Sequence, residues 1–201
     1  MHARLPEAEA VRMIDTCADL DIFWWEEPAT RGREEPTSAL AARVNGTIAS
    51  GETFDTVGQF FTLLKPGAIS IVQPEPMSLG GITPTLAVAS LAEAAGAWIA
   101  PHQSGGPIAT VVCLQLAAIV PNFLIQEYFD LFNEPWTRDL VSWTPTLDPT
   151  TGQLDLPKAP GLGVDLNLDE IAEHPYNPDA FLNVHKLGWE RRLGQRTTAA
   201  G

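Results

Sequence analysis

Glu26 and Glu52 each close a short run of β-forming residues: Ile22-Phe23-Trp24-Trp25 leads into Glu26-Glu27-Pro28, and Thr47-Ile48-Ala49-Ser50 leads into Gly51-Glu52. They stand 26 residues apart, room for one strand and its return helix. A carboxylate at the C-terminal end of a parallel strand points into the mouth of a barrel, where ligands and metals bind. Two of them on neighbouring strands make half of a site for a hard cation, which takes oxygen ligands. Further on, Glu75, His102 and Glu127 follow three more apolar runs, at residues 69–72, 98–100 and 123–125. Random placement would not put an acid or an imidazole at the end of every run.

Helices must carry the chain back between these strands. Apolar residues recur at helical spacing over residues 6–20 (Ala10, Met13, Ile14, Cys17), 36–44 (Ala39, Leu40, Val44) and 54–64 (Phe54, Val57, Phe61, Leu64), and again over 84–95 and 108–119. Lys65-Pro66-Gly67 and Gly96 stop two of them. The run at 69–72 is almost wholly apolar, as a parallel strand covered on both faces should be. Strand and helix alternating at this period call for an α/β fold with right-handed crossovers. The expectation is a partial TIM-type (β/α) barrel of about five parallel strands over residues 1–128, with an irregular C-terminal extension at 129–190 and a disordered tail at 191–201. Within the extension, Asp148-Pro149-Thr150-Thr151-Gly152 suggests a hairpin and residues 168–173 a short helix.

The 201 residues carry 25 acidic and 12 basic side chains, a net charge of −13. That balance argues against a nucleic-acid partner, which needs a basic face. No apolar run reaches membrane-spanning length and no signal-peptide pattern opens the chain, so the expected compartment is the cytoplasm. Cys17 and Cys113 lie far apart in helical patterns and read as buried thiols rather than a disulfide or metal pair.

Taken in order, Trp25-Glu26-Glu27-Pro28, Ala49-Ser50-Gly51-Glu52, Gln73-Pro74-Glu75 with Gly80-Gly81-Ile82-Thr83, and Pro101-His102 with Gly106-Pro107-Ile108 form a specific set. Joined by Gln126-Glu127 and Pro160-Gly161-Leu162-Gly163-Val164, the set resembles the enolase superfamily. Within it the chain is most similar to the mandelate racemase/muconate lactonizing enzyme group and its galactonate-type acid-sugar dehydratases, over residues 2 to about 166. The resemblance implies a divalent metal, normally Mg²⁺, held by three carboxylates on successive strands, with Glu26 and Glu52 as the second and third. Glu27 reads as the surface neighbour of Glu26. His102 matches the base that takes a proton from the carbon next to a carboxylate. Glu75 stands where the family has an aspartate that orients this histidine, and is one methylene longer. Glu127 matches a residue that bonds the substrate carboxylate or the developing enolate oxygen, for which it must hold or share a proton.

The galactonate-type relatives also carry an Asp-x-His-x-Arg segment in which the aspartate is the first metal ligand and the histidine the general acid. Here His2 and Arg4 match and Met1 stands at the x, so the aspartate would lie immediately before Met1. The chain is therefore expected to be the C-terminal part of a longer enzyme, without the capping domain and the first barrel strands, and poorly stable alone because its sheet edges are open. Dehydration of a sugar acid is the implied reaction. A racemase or epimerase of the same superfamily would need a second base, from a Lys-x-Lys strand that this chain does not contain; an inactive remnant or binding protein is the remaining alternative. The family often forms octamers, so the resemblance allows a homo-oligomer.

Overall fold

Which residues pair as strands is decided where apolar runs meet prolines and glycines. The computed structural model describes residues 1–29, 34–129 and 133–177. Its elements alternate from the start: α1 (Glu7–Thr16), β1 (Trp25–Glu26), α2 (Glu34–Ala41), β2 (Ile48–Ser50), α3 (Val57–Leu64) and β3 (Ile71–Val72). A short α4 (Pro76–Leu79) then precedes α5 (Ile82–Ala94), β4 (Trp98–Ile99) and α6 (Pro107–Ile119). A 3₁₀ turn at Pro135–Leu140 and the hairpin β5 (Leu147–Asp148) and β6 (Gln153–Leu154) follow, the latter at the Pro-Thr-Thr-Gly turn where the sequence suggests one. Residues Met1–Leu166 form one compact unit, which includes most of the expected extension. The second unit begins at Asn167, whose side chain caps α7 (Leu168–Glu173) by accepting the Glu170 N–H at 3.3 Å. The tail expected at 191–201 lies outside the described residues. Among the described residues no helix is long and apolar enough to cross a membrane.

The four strands form one parallel sheet in the order β1-β2-β3-β4, with Glu26 level with Ala49, Ser50 with Val72, and Val72 with Ile99. This is a partial (β/α) barrel. A fifth full strand is not formed: after Pro121, which has no N–H to give, a single bridge joins Ile99 to Phe123. Its two bonds, Ile99 N–H to Asn122 O and Leu124 N–H to Ile99 O, are both 2.9 Å and continue the parallel ladder for one residue. Phe123-Leu124 thus occupies the fifth position without a ladder of its own.

Period-two alternation sorts the strand side chains onto two faces. Ile48, Val72 and Ile99 are buried against Ala10 and Ile14 of α1, Leu40 of α2, Phe60 and Leu63 of α3 and Val88 of α5. Ala49, Ile71 and Ala100 form a smaller cluster with Trp24 and Leu124. Helix faces differ from expectation at single positions. In α3 the side chain of Thr56 caps the helix and Phe54 stays in the preceding loop, so Phe60, Leu63 and Leu64 turn inward while Phe61 is 56% exposed. Met13 of α1 and Ala39 of α2 also face outward. Cys113 is buried and Cys17 half-buried, and both are free thiols; burial pushes the Cys113 thiol up to about 12, which makes it inert.

The register sets the site. With strands level across the sheet, Glu26, Glu52, Glu75 and His102 all leave from its C-terminal edge. Gly51 makes the turn into Glu52: its φ of +129° is open to glycine, and a Cβ there would lie 2.5 Å from the Phe60 ring.

Candidate active site

His102 lies in the loop after β4, where Pro101 ends the strand. Its Nδ1 is 2.8 Å from Glu75 Oε2, a bond that places the proton on Nδ1 and leaves Nε2 directed at the other acids. Nε2 is 3.6 Å from Glu52 Oε2 and 3.9 Å from Glu127 Oε2. Glu75 is held in turn, because its other oxygen caps α4 by accepting the Met77 N–H at 3.1 Å. The longer side chain that replaces an aspartate therefore reaches both the histidine and a helix N-terminus.

Glu52 stands between two imidazoles, with Oε1 3.4 Å from Nδ1 of His2 and Oε2 facing His102. The His2 segment is tied to the end of β1 by backbone bonds, Met1 N to Glu26 O at 2.7 Å and Ala3 N–H to Glu27 O at 2.8 Å. Among the described residues His2, Ala3 and Glu27 are the non-glycine residues at positive φ, at 54°, 53° and 44°. Left-handed backbone costs such residues roughly 1 kcal/mol each and tends to cluster at functional sites.

Glu26, at the end of β1, accepts from Gln73 Nε2 at 2.6 Å and Trp24 Nε1 at 3.3 Å. Glu127 Oε2 accepts the Gln103 N–H at 2.8 Å. Five of the six residues singled out in the sequence, His102, Glu75, Glu127, Glu52 and His2, thus approach one another directly, and Glu26 leaves the same edge of the sheet, bonded to Gln73. The groove of about 640 Å³ beside α6 and the β5–β6 hairpin, lined by Leu114, Phe123 and Leu154, contains none of them.

Glu27 is not a surface acid; it is 4% exposed, and its Oε1 accepts from Ser50 Oγ at 2.8 Å and Gly51 N at 2.7 Å. Phe123-Leu124 fills the fifth position through a single bridge, which places Glu127 on a loop, not at the end of a strand. Gln73 and Gln103 were missed as site residues. Gln103 is fully buried, and its amide spans Thr110 Oγ1 at 2.9 Å and Gly105 O at 3.0 Å, fixing the loop that carries His102 and the N–H that Glu127 accepts. The signal was available, since both glutamines sit beside an acid or imidazole at a strand end.

Burial raises Glu52 to about 7, against the nearby His102 and with the charges of Glu27 and Glu26. Burial disfavours the charged form of His102, but the Glu75 hydrogen bond and the charges of Glu127 and Glu52 outweigh it and lift the imidazole to about 9. Glu127 is also raised, by burial first, with the Gln103 N–H opposing. The folded protein therefore holds the Glu52 and His102 protons more tightly than the unfolded chain does. The stability this gives is complete below their ordinary values of 4.5 and 6.5 and is lost as pH rises through about 7 and about 9. In cation-free buffer the melting temperature should fall by on the order of 5–10 °C between those limits. Calorimetry across that range checks this, and a rising melting temperature would contradict the cluster.

The donors also bear on a cation. Among the described residues no group of three or more His, Cys, Asp and Glu side chains is arranged to hold a metal. Glu26 and Glu52 are nevertheless hard oxygen donors whose negative charges reinforce one another, and buried Gln73 Oε1 beside Glu26 has no hydrogen-bond partner. Mg²⁺ commonly uses one or two carboxylates and keeps several waters, so this pair fits it.

Residues 1–171 match the family described as enolase C-terminal domain-like. D-xylonate dehydratase of Haloferax volcanii is 31% identical over 174 residues, covering 86% of this chain and 41% of that protein. D-galactonate dehydratase of Variovorax paradoxus is 28% identical over 185 residues, covering 90% and 48%. The crystal structure of a mandelate racemase/muconate lactonizing enzyme from Jannaschia sp. CCS1 superposes with a TM-score of 0.80 at 32% identity, covering 88% of this chain and 44% of that one. The chain spans less than half the length of these relatives. With the parallel sheet, the strand-end acids and this match over most of its length, the chain belongs to the enolase C-terminal domain-like family.

Proposed function

We propose that the protein carrying this chain is an Mg²⁺-dependent acid-sugar dehydratase of the cytoplasm, a hydro-lyase that converts an aldonate to a 2-keto-3-deoxy acid. The observation that carries the reading is His102, bonded to Glu75 on one nitrogen and facing Glu52 with the other, while His2 meets the second oxygen of the same Glu52 carboxylate. Relatives named as xylonate, gluconate and galactonate dehydratases support the substrate class.

In this reading Nε2 of His102 takes the proton from the carbon next to the substrate carboxylate, and Glu75 steadies the imidazolium that results. The electron pair left behind is first held as an enolate of the substrate carboxylate, and it then forms the carbon–carbon double bond as the β-hydroxyl departs. His2 gives its proton to that hydroxyl, which leaves as water, and the enol relaxes to the 2-keto acid. Glu127, with its raised proton affinity, donates a hydrogen bond to an oxygen of the substrate carboxylate. Glu26 and Glu52 would hold Mg²⁺, whose charge stabilises the negative charge developing on the carboxylate oxygens and offsets the acids that keep a proton on His102. Gln103 and Gln73 keep Glu127 and Glu26 in place.

The protein as its gene encodes it, incubated with Mg²⁺ and a panel of aldonic and aldaric acids, should give a 2-keto acid from at least one of them. Inversion of the α-carbon without loss of water would instead establish a racemase.

A further inference from the structure

We propose that Glu27 is a positioning residue that locks the Glu52 carboxylate and the His2 segment into one common geometry. The proposal rests on the reading of Glu26 and Glu52 as cation ligands and His2 as the acid. A carboxylate that is 4% exposed must be held by donors. Its Oε1 takes two of them, Ser50 Oγ at 2.8 Å and Gly51 N at 2.7 Å, and these are the two residues directly before Glu52. On the backbone, the Glu27 N–H donates to Ala49 O at 3.0 Å and its carbonyl accepts from Ala3 N–H at 2.8 Å. One residue therefore fastens the end of β2 with its side chain and the His2 segment with its main chain.

Two simpler accounts of Glu27 do not suffice. A solvating acid would be exposed, whereas this one is covered. A space-filling residue would be apolar, since a well-packed hydrophobic group is usually at least as stable as a buried charge. The charge of Glu27 opposes that of Glu52, whose carboxyl, raised first by burial, it helps to push upward. What the position gains from a carboxylate is an acceptor aimed at the Ser50-Gly51 turn. Where the Glu27 carbonyl meets the Ala3 N–H, Glu27, His2 and Ala3 all have positive φ, at 44°, 54° and 53°. Strain at three residues in one contact is what an over-determined clamp produces.

The test compares Glu27→Ala, Glu27→Gln and Ser50→Ala in the protein as its gene encodes it, by Mn²⁺ titration followed by electron paramagnetic resonance and by amide hydrogen exchange. Glu27→Ala should weaken Mn²⁺ binding about 10- to 100-fold, as loss of a group that orients a metal ligand typically does. It should also speed exchange at the Gly51 and Ala3 amides together. Glu27→Gln keeps an acceptor oxygen at the same place and should retain most of both properties. Equal losses in Glu27→Gln and Glu27→Ala would show that charge, not position, is what matters, and would overturn the proposal. So would unchanged exchange at Gly51 and Ala3 in Glu27→Ala. If circular dichroism shows that Glu27→Ala does not fold, Ser50→Ala, which removes one of the two donors, decides the matter by the same exchange measurement. A parallel Glu52→Gln variant separates the two readings: if it binds Mn²⁺ as the native protein does, the cation reading fails, while exchange at Gly51 and Ala3 still judges Glu27.

Discussion

If the protein is the proposed dehydratase, replacing His102 with asparagine should lower turnover by about 10³-fold or more, because it removes the atom that takes the proton in that mechanism. The asparagine amide can still donate to Glu75, so the contact now made by Nδ1 at 2.8 Å has a substitute and the fold should hold. What disappears is Nε2, the nitrogen that faces Glu52 at 3.6 Å and Glu127 at 3.9 Å. Proton NMR in D₂O gives the direct measurement, since a base that removes the α-proton also exchanges it with solvent. In His102→Asn both exchange and product formation should vanish together. Exchange that continued at the native rate would assign the base elsewhere and undo the mechanism. Glu75→Gln is a milder change: the histidine stays but its bond to a carboxylate becomes a bond to a neutral oxygen, so the loss should be smaller than for His102→Asn.

That His102 could be placed beside Glu26, Glu52 and Glu75 from the sequence follows from the way a parallel sheet is read. Short apolar runs interrupted by proline or glycine mark strand ends, and the residue after the break is sent to one rim whatever the helices do. Glu26, Glu52, Glu75 and His102 all obey this, since their positions depend on strand direction and order alone. Glu127 reached the same place by a weaker route, through one bridge at Phe123 and a hydrogen bond from the Gln103 backbone.

Features that depend on what packs over a residue were not legible. Glu26 and Glu27 are identical letters side by side, and alternation sends them to opposite faces. The sequence does not say that the Ser50-Gly51 turn will cover the second of them, because that contact joins residues 23 and 24 positions apart. The choice between Phe60 and Phe61 is of the same kind. Either fits a helical stripe, and the Thr56 cap fixes the start of α3 so that Phe60 lies under Gly51 and Phe61 outside. Gln103 illustrates a third case: a fully buried amide has no periodic signature, and only its four partners explain why it is there.

In the proposed mechanism the two histidines act on different bonds, so experiment can separate them. His2→Asn should leave α-proton exchange in D₂O intact while lowering water loss by about 10²- to 10³-fold, the range that general acid assistance supplies. His2 approaches Glu52 through Oε1 at 3.4 Å and His102 approaches it through Oε2, so each ring has its own oxygen of the carboxylate. The His2 backbone is held independently of its ring, by Met1 N on Glu26 O and Ala3 N–H on Glu27 O, so the substitution should not release the segment. A variant that exchanges its α-proton but releases no 2-keto acid is the expected outcome. Loss of exchange in His2→Asn would mean that His2 shares in the proton removal, and native rates of water loss would mean that the leaving hydroxyl draws its proton from another group.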